Sequence, residues 1–160
     1  MLQLKMICVG KVKEKYLQEG IREYAKRLTP LLRLQLIEVQ DEACPEGVSA
    51  AEAEKLKEKE AERILRMVRE PEYVMLLASE GKSLDSPGFA AYLEQLAGRG
   101  RSSVVLIIGG SLGVSCSVKE RADFLWSFSA LTFPHQLMRL LVVEQVYRAL
   151  KIQRGEPYHK

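Results

Sequence analysis

A chain of 160 residues, 47% hydrophobic and 28% charged with a mild net charge of +3, has material for one substantial core, which excludes general disorder and leaves two domains thin. Its apolar runs fall short of the ~20 residues a membrane span requires, and Lys5, Lys11, Lys13 and Lys15 break up any signal-peptide centre. Three cysteines (Cys8, Cys44, Cys116) without Cys-x-x-Cys spacing speak against a disulfide framework or a zinc site and fit a reducing cytosol.

Leu2, Leu4 and Met6 followed by Ile7-Cys8-Val9 read as a strand that stops at Gly10. Apolar positions at helical spacing predict a helix from Lys13 to Leu28, closed by Pro30. Leu32–Val39 alternates as a second strand, and Asp41–Val48 is a loop. Ser49-Ala-Ala-Glu52 is a capping box opening a Lys/Glu-rich, mostly solvated helix to about Arg69.

Tyr73–Ala78 is a buried-type strand, and Ser86-Pro87 reads as a cap with Pro at the first helical position. The helix it opens ends before Gly98-Arg-Gly100. Val104–Ile108 is the strongest strand and runs into Gly109-Gly110. Ser117-Val-Lys-Glu120 is a second capping box, and the apolar stretch Phe124–Phe128 follows. Pro134 starts a helix to about Leu150 that is apolar on nearly every side, so it must be deeply packed or meet another subunit. Strands alternating with helices in this way predict an α/β fold with a mostly parallel sheet flanked by helices.

Charge is uneven: residues 1–40 and 139–160 are basic and 41–70 acidic, which is a polyanion-facing surface if the ends meet and ordinary solvated charge otherwise. Glu80-Gly81-Lys82-Ser83 imitates a phosphate loop, but Leu76 stands where its first glycine belongs, so it reads as a turn after a strand. Gly109-Gly110-Ser-Leu-Gly113 is either a ligand turn at a strand end or a tight structural turn. His135 is either a helix-start residue or a catalyst, and its place after Pro134 favours the first. The tail Lys151–Lys160 combines Arg154, Tyr158 and His159, which is either a frayed end or a phosphate-and-stacking set for unpaired nucleotides.

Ile108-Gly-Gly-Ser-Leu-Gly113, Phe128-Ser-Ala-Leu-Thr-Phe-Pro-His-Gln136, Glu144-Gln-Val-Tyr-Arg-Ala149 and Arg154-Gly-Glu-Pro-Tyr-His-Lys160 together resemble one bacterial family. It is the ribosomal RNA large subunit methyltransferase H group of the SPOUT superfamily, and the resemblance spans the chain from Val9-Gly-Lys11 onward. It implies one SPOUT methyltransferase domain over residues 1–160 with a C-terminal trefoil knot, a topology otherwise strongly disfavoured. It further implies a homodimer using S-adenosylmethionine, while the cysteine pattern and the short apolar runs predict a cytoplasmic protein with no metal and no membrane span. The implied reaction methylates N3 of a pseudouridine in helix 69 of 23S rRNA within the assembled ribosome.

Carried over by motif, the cofactor pocket would use Leu77, Gly109 and the loop Phe128, Ser129, Ala130, Leu131, Thr132 and Phe133. An uncharged loop can hold adenine through backbone hydrogen bonds and apolar contact. His135, Glu144 and His159 are the candidates for taking the N3 proton. Arg139, Arg154, Tyr158 and His159 are the candidates for phosphate pairing and base stacking. A rival reading is a non-catalytic ribosome-associated RNA-binding factor of the same fold. A third is a flavodoxin-like enzyme acting on a small metabolite.

Overall fold

Alternation within the first strand, β1 (Gln3–Val9), sends Leu4, Met6 and Cys8 to one side of the sheet and Ile7 and Val9 to the other. Each side is then covered by helices, as the computed structural model of residues 1–160 shows. The elements run α1 (Lys15–Leu28), β2 (Arg33–Val39), α2 (Ala50–Arg66), β3 (Tyr73–Ser83), α3 (Ser86–Gly98), β4 (Ser103–Ile108), α4 (Cys116–Arg121), β5 (Phe124–Ser127) and α5 (His135–Gln153). All neighbouring strands pair in parallel, in the order β2-β1-β4-β3-β5. β4 therefore slots between β1 and β3, and five of its six residues, Val104–Ile108, are buried from both sides.

One face of the sheet packs on α1, α3 and α5 through Leu28, Phe89, Leu93, Val142 and Val146; the other packs on α2 and α4 through Ala61, Ile64 and Val118. No helix is long and apolar enough to cross a membrane. Much of the apolar surface of α5 is covered inside one chain, while Leu137 and Leu141 stay half-buried and join neither side of the core. The helix lies between α1 and α3, and no residue from His135 to Leu150 is exposed. Gly20 of α1 lets the two helices close up, since a Cβ there would meet the Leu140 methyls at 3.0 Å.

Three local expectations need correction. The α3 cap is Asp85, whose carboxylate accepts the Gly88 N–H at 2.7 Å, because an anion also complements the helix N-terminus. Ser86 instead donates its hydroxyl to Gln145 at 2.6 Å, fastening α3 to α5. The capping box at Ser117 does not form: Ser115 occupies the cap position of α4 and the Ser117 hydroxyl donates to Glu58 on α2. Smaller differences lie at helix ends, where α1 starts at Lys15 and α2 stops at Arg66.

The third correction concerns Glu80-Gly81-Lys82-Ser83, which is no turn. β3 continues through it, with a bulge between Leu77 and Lys82, and pairs again with Trp126 and Ser127 of β5. Gly81 is required there, because a Cβ would stand 2.5 Å from the Leu125 carbonyl carbon and oxygen. Backbone cannot rotate away as a side chain can. Gly81→Ala is expected to cost about 3 kcal/mol, read as a lowered denaturant midpoint with unchanged slope. A parental midpoint would refute that close approach.

Candidate active site

Parallel strands end together, and the ligand crevice of such a sheet opens outside those ends. Here the bulge of β3 and the ends of β4 and β5 surround a pocket of about 230 Å³. Leu77, Ala78 and Ser79 come from β3 and its bulge. Gly109, Gly110, Gly113 and Val114 come from the turn after β4. Phe128, Ser129, Leu131, Thr132 and Phe133 come from the loop after β5, and His135 and Met138 from α5.

The structure thus gathers seven of the eight expected cofactor residues; Ala130 is the one that does not line the pocket. The glycine turn is both of the things its sequence allowed. It is tight, with the Gly113 N–H donating to the Gly110 carbonyl at 3.1 Å and φ of +82° at Gly113, and it also walls the pocket. The loop after β5 is held from below by a chain of rings. Phe89 stacks on Trp126 at 4.3 Å, Trp126 meets Phe128 at 5.5 Å, and Phe128 meets Phe133 edge-on at 6.4 Å.

No Asp, Glu, Lys or Arg lines the pocket. His135 is its one titratable wall, and burial, with the Arg139 guanidinium nearby, holds that imidazole below its ordinary value of 6.5. The site is therefore electrically neutral at neutral pH. It offers hydroxyls at Ser79, Ser129 and Thr132 together with strand-end backbone. Nowhere do three or more His, Cys, Asp or Glu side chains gather as a metal-binding group.

The expected substrate residues fall elsewhere. Arg139 must be corrected outright. It is only 2% exposed, pairs with Glu38 at 2.9 Å and donates to the Val9 carbonyl at 2.7 Å, so its charge is spent tying α5 to the ends of β1 and β2. Glu38 also accepts the Val12 N–H, and Gln136 accepts that of Lys13, so the segment after β1 is docked on the start of α5.

The tail is ordered along α5. Glu144 receives both Nε and Nη2 of Arg148, at 3.1 and 2.7 Å, and the Tyr158 hydroxyl at 2.9 Å. Arg148 also reaches Nδ1 of His159 at 3.1 Å and covers the Tyr158 ring at 4.8 Å. Burial and the hydrogen bonds to Tyr24 and Glu144 push the Tyr158 phenol upward, so it stays a neutral donor. Arg154 is half exposed, with Glu156 at 3.8 Å. Glu144 follows His135 by about 14 Å of helix, so the tail cluster and the pocket are separate places within one chain. Arg148 escaped notice in the sequence, although its i,i+4 spacing from Glu144 was a usable signal.

The family model described as "Predicted SPOUT methyltransferase" matches residues 2–159. A protein of Desulfitobacterium hafniense named "Ribosomal RNA large subunit methyltransferase H" is 56% identical over 160 residues, covering 100% of both chains. A protein of the same name from Carboxydothermus hydrogenoformans is 54% identical, covering 99% of this chain and 100% of its own. Among solved structures, the Legionella pneumophila protein Lpg2936, in complex with SAM, aligns with a TM-score of 0.50 at 12% identity, covering 95% of this chain and 66% of that one. That last likeness concerns the fold alone. Matched across almost its whole length by the family model, and by full-length relatives at more than half identity, the chain belongs to the SPOUT methyltransferase family.

Proposed function

We propose that this chain, as one domain over residues 1–160, methylates N3 of a pseudouridine in helix 69 of 23S rRNA. The methyl donor is S-adenosylmethionine, the substrate is the assembled ribosome, and the working form is a cytoplasmic homodimer. The observation that carries the reading is a neutral pocket at the strand ends, set apart from an ordered tail bearing Arg154, Tyr158 and His159 that packs on Arg148 of α5. The names of full-length relatives support the rRNA substrate.

The pocket suits the donor. Its uncharged lining accepts a purine by apolar contact and backbone hydrogen bonds, and a neutral His135 does not repel a sulfonium. Gly109 and Gly110 keep the turn close to the strand, where added Cβ atoms would meet Val114 and Val9 at 2.9 and 3.0 Å. Bound there, S-adenosylmethionine supplies an electrophilic methyl group for direct displacement. The protein's share is chiefly alignment of the accepting nitrogen with that methyl.

The N3 proton must leave. Glu144 has its carboxylate saturated by Arg148, Tyr158 and Gln145, so it positions the tail and does not take the proton. With Arg148 donating to Nδ1, His159 carries its own proton on Nε2 and meets the RNA as a donor. His135, in the pocket wall and neutral, is the remaining acceptor. Since its pKa is lowered, activity should stay level down to pH 6.5 and fall only below it. His135→Asn is expected to lose that acid limb along with most of kcat; a variant retaining the parental pH–rate profile would exonerate His135.

Separation of pocket and tail is what supports the dimer: a second copy can lay its tail over the first copy's pocket. The C-terminal knot that the family resemblance implies is part of this proposal. Methyl incorporation tests the whole reading. Ribosomes lacking the modification should be labelled, and free 23S rRNA and separated subunits should not. Incorporation into none of them, with S-adenosylmethionine still bound, would favour the non-catalytic RNA-binding factor.

A further inference from the structure

The opposite end of the sheet carries a feature that methyl transfer does not use. At the starts of the strands, two adjoining hollows of about 300 and 540 Å³ share Gln3, Arg69, Glu72 and Ser103 and form one groove. Arg33 closes it at the β2 side, and Arg99 and Arg101, from the turn between α3 and β4, close it at the other.

The charge of this groove is unbalanced. Glu72 is buried and committed: it accepts Lys5 Nζ at 2.8 Å and the Arg69 backbone N–H at 2.7 Å. Burial alone would raise its pKa, but these donors hold it below the ordinary carboxylate value. Lys5 and Glu72 therefore cancel. Arg33, Arg69, Arg99 and Arg101 remain, all exposed, and none of their guanidiniums has a hydrogen-bond or ion-pair partner in the protein. Sheet assembly has collected four cations, from the start of β2 and from two connections, at one end of the sheet.

From this juxtaposition we infer that the groove is a second RNA-contact surface, gripping backbone phosphates remote from the methylated base. The six residues of β4, rising about 3.3 Å each, place it about 20 Å from the pocket. Guanidiniums pair with phosphate oxygens through parallel N–H donors, and such contacts fix position without reading sequence. The lining argues for RNA over an acidic protein. The larger hollow has no hydrophobic residue at all, whereas a protein interface is anchored by apolar or aromatic side chains. This inference rests on the ribosomal substrate proposed above and adds where that substrate is held.

The test is binding of unmodified 70S ribosomes across 50–200 mM KCl by the full chain, by Arg33→Ala/Arg69→Ala/Arg99→Ala/Arg101→Ala, and by the matching four-lysine variant. Each lost phosphate contact removes about 0.7–0.9 from the slope of log K against log salt. The alanine variant should flatten that slope by about 3 and weaken binding most at low salt. The lysine variant should keep the slope, which separates charge from fold, and S-adenosylmethionine affinity should be parental in both. A parental slope in the alanine variant overturns the groove while wild-type methylation of ribosomes leaves the enzyme reading standing. Wild-type protein that neither binds nor methylates ribosomes overturns both.

Discussion

Gly109→Val is expected to weaken S-adenosylmethionine binding at least about 100-fold, equivalent to about 3 kcal/mol, while the protein still folds. The residue closes β4 and lines the pocket, and a Cβ added there would lie 2.9 Å from Val114 Cγ1 and 3.5 Å from the Gly113 carbonyl. A valine would have to push the turn outward or enter a pocket of only about 230 Å³. The buried run Val104–Ile108 beneath it is clamped by β1 and β3 and has no reason to move. Strain therefore falls on the turn and the ligand. Calorimetric titration measures the affinity, and thermal unfolding without ligand reports the fold. Binding within threefold of wild type would mean that the cofactor lies elsewhere.

Such a prediction was open to sequence reasoning because strand ends and glycine turns are local signals. Val104–Ile108 followed by Gly109-Gly110 announces both a buried parallel strand and a crevice at its end. The alternation of strands and helices likewise announced the parallel sheet. What stayed hidden depends on partners distant in the chain. Glu80–Ser83 has the composition of a turn, yet edge pairing with β5 makes it strand. Arg139 has the chemistry of a phosphate ligand, but its partner Glu38 lies 101 positions upstream, and only folding reveals the burial. Arg33, Arg69, Arg99 and Arg101 are scattered in sequence and meet only at one end of the sheet.

The same pair yields an effect that surface exposure would not suggest. Glu38 has a side chain 46% exposed, and substitution of such a residue ordinarily shifts stability by no more than about 0.5 kcal/mol. Its partner is the opposite case, since the Arg139 side chain is 3% exposed and its Nε already lacks a partner. Removing Glu38 strands a buried cation, which is the costly way to break an ion pair. Glu38→Ala is therefore expected to cost about 3 kcal/mol, discounted little because the stranded partner is the buried one. Arg139→Met removes the charge and fills its volume; the orphaned Val9 carbonyl should then cost about 1–2 kcal/mol. The double substitution should resemble Arg139→Met alone, so the cycle has a coupling of about 3 kcal/mol. Chemical denaturation of the four proteins measures it. Additive losses would show that Arg139 is content without its carboxylate, and that α5 is held to β1 by packing and the Val9 bond.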